Sequence, residues 1–157
     1  RIDELPQLLE LNQSNLPHVG SISQSEMEHL YRQAIYFRIA ELDNRPAGFL
    51  VAFNPGADYT SLNFLWFKNR YPDFVYIDRI IIAAEARRKG IAFGLYRDLE
   101  NFAARKQIPW ITCEYNLQPP NEISRLFHES YGFSEVGTQE TENGKKTVSL
   151  QIKQIKV

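Results

Sequence analysis

The stretch from Tyr76 to Ala104, YIDRIIIAAEARRKGIAFGLYRDLENFAA, constrains the chain most. Tyr76–Ile82 is rich in β-branched residues, and Ile80, Ile81 and Ile82 form a continuous apolar run of the kind found in central strands. From Ile91 the spacing becomes helical, with Ile91, Leu95, Leu99 and Phe102 on one face. Between the two lies Arg87-Arg88-Lys89-Gly90-Ile91-Ala92. A helix N-terminus presents unpaired N–H groups and the positive end of the macrodipole, which suits a phosphate. Gly90 tolerates a positive φ and lets backbone approach a ligand. Three cations before it carry the sign a pyrophosphate needs.

Composition narrows the partners. A chain of 157 residues suits one domain, 1–157, with a sizeable core. A net charge of −1 supplies no large basic field, which argues against nucleic acid and membrane surfaces as partners. The single cysteine, Cys113, excludes an intrachain disulfide and leaves no cysteine cluster for a metal, so none is expected. No apolar run reaches the roughly 18 residues of a membrane span, and no signal peptide is evident; the chain reads as cytoplasmic.

Taken in order, Asp3–Leu11 is a short apolar segment interrupted by Pro6, and Asn12–Ser25 reads as loop around Pro17 and Gly20. Ser25 is the expected N-cap of a helix to Tyr36 with Met27, Leu30, Tyr31 and Ala34 on one face. Phe37–Leu42 and Ala47–Phe53 read as a hairpin about Asp43-Asn44-Arg45-Pro46. Residues 54–74 form a long aromatic connection with a short helix expected near Ser61–Asn69. It caps the core or, through Tyr59 and Trp66, covers an acceptor pocket. Trp110–Tyr115 completes a strand–helix–strand unit with two parallel strands. Asn121 caps a helix to Tyr131 whose inner face is Ile123, Leu126, Phe127 and Ser130, with Gly132 closing it. Phe133–Glu140 and Thr147–Ile155 form a last hairpin about Asn143-Gly144.

Two other phosphate motifs are absent. There is no G-x-x-x-x-G-K-[ST], and Gly90 and Gly94 do not make a G-x-G-x-x-G. What remains, R-x-x-G-x-A from Arg87 to Ala92, resembles the acetyl-CoA signature of the GCN5-related N-acetyltransferases, the GNAT superfamily. A second stretch, NEISRLFHESYGF from Asn121 to Phe133, is similar to that family's N-x-x-[AS]-x-x-[LF]-Y-x-x-x-G-F. The order helix, hairpin, strand, helix, strand, helix, hairpin also matches. The resemblance implies an α+β GNAT fold: a mixed central sheet with an antiparallel N-terminal half and a splayed parallel pair. It implies acetyl-CoA as cofactor, acetyl transfer to an amine, and a cofactor set of Ile80, Ile81, Ile82, Arg87, Arg88, Lys89, Gly90, Ile91, Ala92, Asn121, Ser124 and Phe127. In it the Ile80–Ile82 backbone pairs with the pantetheine arm, Arg88–Ala92 N–H groups hold the pyrophosphate, and Asn121 bonds the pantetheine region. The departure is His128, where the family usually has a Tyr as general acid toward the leaving thiolate. An imidazole donates a proton near neutral pH, so His128 takes that role or packs beside the cofactor. Tyr131 is expected to pack.

An amine must be deprotonated to attack. Asp78 shares a strand face with Tyr76, Ile80 and Ile82, a face on which several GNAT enzymes keep a carboxylate base. Glu114 lies on the neighbouring parallel strand near its C-terminal end. Burial among apolar neighbours raises a carboxylate's pKa toward a useful base. Both are therefore base or ammonium anchor, unless each serves an ion pair; for Asp78, alternation excludes Arg79 as the partner. Asn116 is placed to hold the acceptor's polar end. The expected acceptor is a small, partly apolar amine attacked directly in a ternary complex, with a homodimer as a further candidate partner. Protein N-terminal or lysine acetylation and a non-catalytic acyl-CoA sensor are the alternatives.

Overall fold

The computed structural model describes residues 2–16, 19 and 21–156. It contains the helices α1 (Leu5–Gln13), α2 (Gln24–Gln33), α3 (Leu62–Lys68), α4 (Ile91–Arg105) and α5 (Glu122–Tyr131). Its strands are β1 (Tyr36–Leu42), β2 (Arg45–Phe53), β3 (Val75–Ile82), β4 (Trp110–Gln118), β5 (Ser134–Thr141) and β6 (Lys146–Gln154). They make one six-stranded sheet in the order β1-β2-β3-β4-β6-β5. β1/β2, β4/β6 and β5/β6 are antiparallel, and β3/β4 is parallel. Two compact units result, residues 1–58 with 77–102, and residues 59–76 with 103–157.

In the first unit, Pro6 does not interrupt a helix but sits in the first turn of one. There its missing N–H has no intrahelical partner to lose, so proline is tolerated. Leu5 and Leu8 are buried below it. The N-cap of α2 is Ser23 rather than Ser25. Ser23 N–H donates to Glu26 Oε1 at 2.9 Å and Glu26 N–H to Ser23 Oγ at 3.1 Å, the reciprocal pair that S-x-x-E makes. Met27 and Leu30 are buried as expected. Pro17 and Gly20, which mark the preceding loop in the sequence, lie outside the described residues. The β1–β2 turn is tighter than the four residues expected. Asp43 and Asn44, with φ of 53° and 62°, make it alone, and Arg45 already belongs to β2. β2 is buried at every position from Ala47 to Phe53. Tyr36 Oη donates to Asp98 Oδ2 at 2.7 Å and ties β1 to α4. In α4 the expected stripe is shifted: Tyr96 joins Leu95 and Leu99 in the core, while Ile91 and Phe102 are only half-buried.

In the second unit, the expected short helix is α3, and its Phe64 and Phe67 are fully buried with Phe74 and Tyr76. These rings meet edge-on or tilted, with Phe64 and Phe74 centroids 6.1 Å apart and Phe67 and Phe74 6.2 Å apart. Burying each phenylalanine contributes about 1.5–3 kcal/mol, so this connection is mainly core. The inner face of α5 differs from expectation. Ile123 and Leu126 are 82% and 54% exposed, whereas His128 is 5% exposed. Helical geometry sets Ser124, Phe127, His128 and Tyr131 on one stripe, and the imidazole packs among Tyr115, Phe127 and Phe133 at 5.2–5.7 Å. A histidine counted as polar hides that stripe. Asn121 caps the helix by accepting from Ser124 N–H, and Gly132 closes it at φ 114°. The final turn spreads over Glu142, Asn143 and Gly144, all with positive φ.

Candidate active site

In the first unit, β3 runs through Ile80–Ile82 into a short 3-10 turn, Ala84–Ala86, and then the basic loop. Arg88 and Gly90 both adopt the left-handed region, at φ 64° and 77°. A left-handed residue in such a turn aims successive N–H groups into one concavity, which binds anions. A Cβ built at Gly90 meets no atom within 4 Å, so the space over the loop is open. Gly94 N–H donates to Gly90 C=O at 3.0 Å and begins the α4 ladder. A pyrophosphate fits here: Arg88 and Lys89 are exposed, and the N–H groups of the first α4 turn have no intrahelical acceptors.

Arg87 behaves differently from its neighbours. Its guanidinium donates to Asn15 Oδ1 at 2.8 Å and to Ile82 C=O at 3.3 Å. Asn15 in turn donates from Nδ2 to Leu11 C=O at 2.7 Å. The basic loop is thus fastened to the end of α1. One helical turn earlier, fully buried Asn12 accepts from Arg79 at 2.7 Å. Arg79 also pairs with Asp78 at 2.7 Å, and both side chains are largely buried. This corrects the exclusion of Arg79. Alternation fixes where a Cβ points, but a long guanidinium stem bends back past its own backbone. Asp78 is therefore held in a network with Arg79 and Asn12.

In the second unit the parallel register links Val75 to Ile111 and Tyr76 to Thr112. The Tyr76 hydroxyl donates to Glu114 Oε1 at 2.7 Å. Tyr76 is 1% exposed, and its ring lies 5.6 Å from Phe64 and 6.0 Å from Phe67. The phenol is fixed by packing, so it fixes the half-buried carboxylate in turn. Tyr76, a strand residue in the sequence, is thus the hydrogen-bond partner of a candidate site carboxylate. No local signal in the sequence marks it, because the contact depends on the register of β3 against β4.

Asn116 is half-buried, opposite Val148 of β6, and its carbonyl accepts from Asn121 N–H at 3.2 Å. Asn121 uses its side-chain oxygen on Ser124 N–H, which leaves the carboxamide NH2 group oriented to donate. Phe127 is half-buried and stacks on Tyr131 at 6.0 Å. His128 Nδ1 lies 2.7 Å from Ser124 C=O and so carries the proton, donating to that carbonyl. Burial pushes its pKa down, and the Ser124 bond opposes that shift. Trp66 is half-buried over Gly137, where a Cβ would stand 2.7 Å from its ring, and Arg70 lies 4.0 Å above the indole. Tyr59 packs edge-on against Phe64 at 5.7 Å. Cys113 is buried, and burial, aided by the Glu114 charge, pushes its thiol pKa well up. Among the described residues no group of three His, Cys, Asp or Glu side chains could hold a metal ion, and no helix is long and apolar enough to cross a membrane.

A basic, left-handed turn opening a helix after a sheet strand has the features of an anion-binding loop. The Acetyltransferase (GNAT) family profile matches residues 5–133, so the chain belongs to that family and is an acyltransferase with acetyl-CoA as its cosubstrate. Solved structures agree on the fold. Ard1 from Thermoplasma volcanium superposes with a TM-score of 0.79 at 13% identity, covering 100% of this chain and 95% of that one. The ribosomal-protein-S18-alanine N-acetyltransferase of Escherichia coli gives 0.76 at 14% identity, over 100% and 91% of the two chains. An aminoglycoside 6'-N-acetyltransferase complexed with coenzyme A gives 0.73 at 17%, over 98% and 91%. A search of curated protein sequences gives no significant match.

Proposed function

We propose that residues 1–157 act as one N-acetyltransferase domain that acetylates a primary amine of a small molecule, with Glu114 as the carboxylate that meets the amine. The observation that carries this reading is the 2.7 Å bond from Tyr76 to Glu114 inside the α3 aromatic cover. A phenol donating to a carboxylate stabilises the charged form, which can then anchor an ammonium or accept its proton. When bound, acetyl-CoA supplies the thioester carbonyl that the amine attacks. The N–H groups of Arg88–Ala92 hold its pyrophosphate, with Arg88 and Lys89 adding charge. The Ile80–Ile82 backbone edge and the Asn121 amide meet the pantetheine arm, beside Ser124 and Phe127.

Direct transfer is favoured over an acyl-cysteine route. The one thiol in the chain is buried and its pKa is raised, so little of it is nucleophilic thiolate. Between the two carboxylates, Asp78 is committed to Arg79, which favours Glu114. Between the two roles for His128, the geometry favours packing. Burial disfavours its charged form, and its Nδ1–H is used in a hydrogen bond to a backbone carbonyl. Tyr59 and Trp66, held by Phe64, Gly137 and Arg70, form the wall against which an apolar part of the acceptor rests.

A second reading, acetylation of a protein N-terminus, is favoured by the likeness to the S18-alanine enzyme. One experiment separates them. Thiol release from acetyl-CoA is followed with a panel of primary amines and with peptides bearing free N-termini, for wild type and Glu114→Gln. Saturable release with amines alone, abolished in the variant, supports the proposal. Release with peptides alone replaces it, and full activity of Glu114→Gln removes Glu114 from the mechanism.

A further inference from the structure

Thr112 is fully buried in β4, and its hydroxyl is the one buried side-chain polar atom without a hydrogen-bond partner among the described residues. A hydroxyl taken out of water with no partner is costly, and such groups in native proteins call for an explanation. Its position supplies one. Alternation places Thr112 on the same face of β4 as Glu114. The parallel register sets it directly beside Tyr76, whose hydroxyl donates to Glu114. The Thr112 hydroxyl, the Tyr76 phenol and the Glu114 carboxylate therefore lie on one face of the β3–β4 pair. A buried water needs two to four polar partners, and such waters occur on the order of once per 27 residues.

We infer that Thr112 Oγ1 anchors a buried water that bridges to the Tyr76–Glu114 pair and hydrates the carboxylate under its aromatic cover. The water donates to Glu114 and to Thr112 or Tyr76, since a carboxylate accepts several hydrogen bonds and each hydroxyl oxygen accepts as well. Thr112 is then a positioning residue: it acts on the acceptor's carboxylate through the water, without touching substrate. The link to turnover rests on the reading of Glu114 given above; the water site itself does not.

The isosteric change Thr112→Val tests this, with Thr112→Ser as its conservative partner. A hydroxyl stranded in a dry core is relieved by valine, so the melting temperature would rise. A hydroxyl anchoring a water loses that water's bonds, so the melting temperature of Thr112→Val should fall by a few degrees while Thr112→Ser stays near wild type. A crystal structure of the wild type should show density within about 2.7–3.2 Å of Thr112 Oγ1, absent in Thr112→Val. A higher melting temperature in Thr112→Val, or a dry wild-type site, overturns the proposal. With an amine that supports turnover, Thr112→Val should lower kcat at least threefold with the KM for acetyl-CoA unchanged, and Thr112→Ser should restore it. If the water is present and kcat is unmoved, the link to Glu114 fails.

Discussion

The phenol of Tyr76 and the carboxylate of Glu114 are 38 positions apart in sequence and 2.7 Å apart in space. The bond joins the buried start of β3 to the middle of β4, and α3 covers it. Packing on Phe64 and Phe67 holds the tyrosine ring and hence the orientation of the carboxylate. Tyr76→Phe keeps the ring and removes only the donor. It should lower kcat by about tenfold, less than the roughly 10²-fold or greater loss expected of Glu114→Gln. Coenzyme A affinity, read by calorimetry, should stay within twofold in both. A Tyr76→Phe enzyme with wild-type kcat would remove the tyrosine from the mechanism.

The phosphate loop predicts a separation of affinity from stability. Gly90→Asp sets a negative side chain where the pyrophosphate is proposed to lie, and its Cβ meets nothing within 4 Å. Coenzyme A should bind at least tenfold more weakly, about 1.4 kcal/mol, on top of the modest fall in melting temperature that any side chain at φ 77° brings. Arg87 should behave unlike Gly90. Its guanidinium is spent on Asn15 and Ile82, so Arg87→Ala and Asn15→Ala should give similar, modest losses of affinity. A loss confined to Arg87→Ala would make that arginine a phosphate ligand instead.

Where the sequence was legible, local chemistry and long-range packing agreed. The strand, basic turn and helix from Tyr76 to Ala104 follow from β-branching, a left-handed glycine and four apolar residues at helical steps. Asn121 caps α5 through its side-chain oxygen, and Gly132 closes it because a residue without a Cβ adopts a positive φ at little cost. The misreadings came where two local signals competed. Pro6 breaks a helix interior but suits a first turn, and only the helix start distinguishes the cases. Ser23 and Ser25 both qualify as caps until Glu26 is counted back three residues. Of the candidate site, the loop was visible because it is contiguous. The Tyr76–Glu114 bond and the Asp78–Arg79–Asn12 chain were not, because each depends on register between distant segments or on how far a flexible side chain reaches.

His128 predicts a pH dependence of stability. Burial holds its folded pKa below the ordinary 6.5, so the unfolded chain takes up a proton first as pH falls. Its contribution is whole above about 6.5 and is lost as pH drops through that value toward the lower folded one. Wild type should therefore lose stability as pH falls below about 6.5, measured by urea unfolding. His128→Leu should flatten that slope at some cost in packing. An unchanged slope would mean that other groups dominate the acid limb.

The last prediction concerns two glycines whose surroundings are opposite. In β2, a Cβ at Gly48 would stand 2.6 Å from the Ile81 carbonyl oxygen and 2.9 Å from Ile82 Cδ1. Ala83 N–H donates to Ala47 C=O at 2.7 Å beside the contact, which opposes parting of the strands to admit it. In α4, a Cβ at Gly94 meets nothing within 4 Å, and the residue is exposed. Glycine in a helix costs about 0.5–1 kcal/mol relative to alanine. Gly94→Ala should therefore raise the melting temperature, whereas Gly48→Ala should lower it through overpacking of about 1–3 kcal/mol. Gly48→Ala should also weaken coenzyme A, since the atoms it displaces belong to the Ile80–Ile82 edge proposed for the pantetheine arm. Scanning calorimetry with and without coenzyme A reads both effects. Equal and small shifts for the two variants would show that β2 and β3 yield at Gly48, and that the close approach there is not what sets the edge of β3.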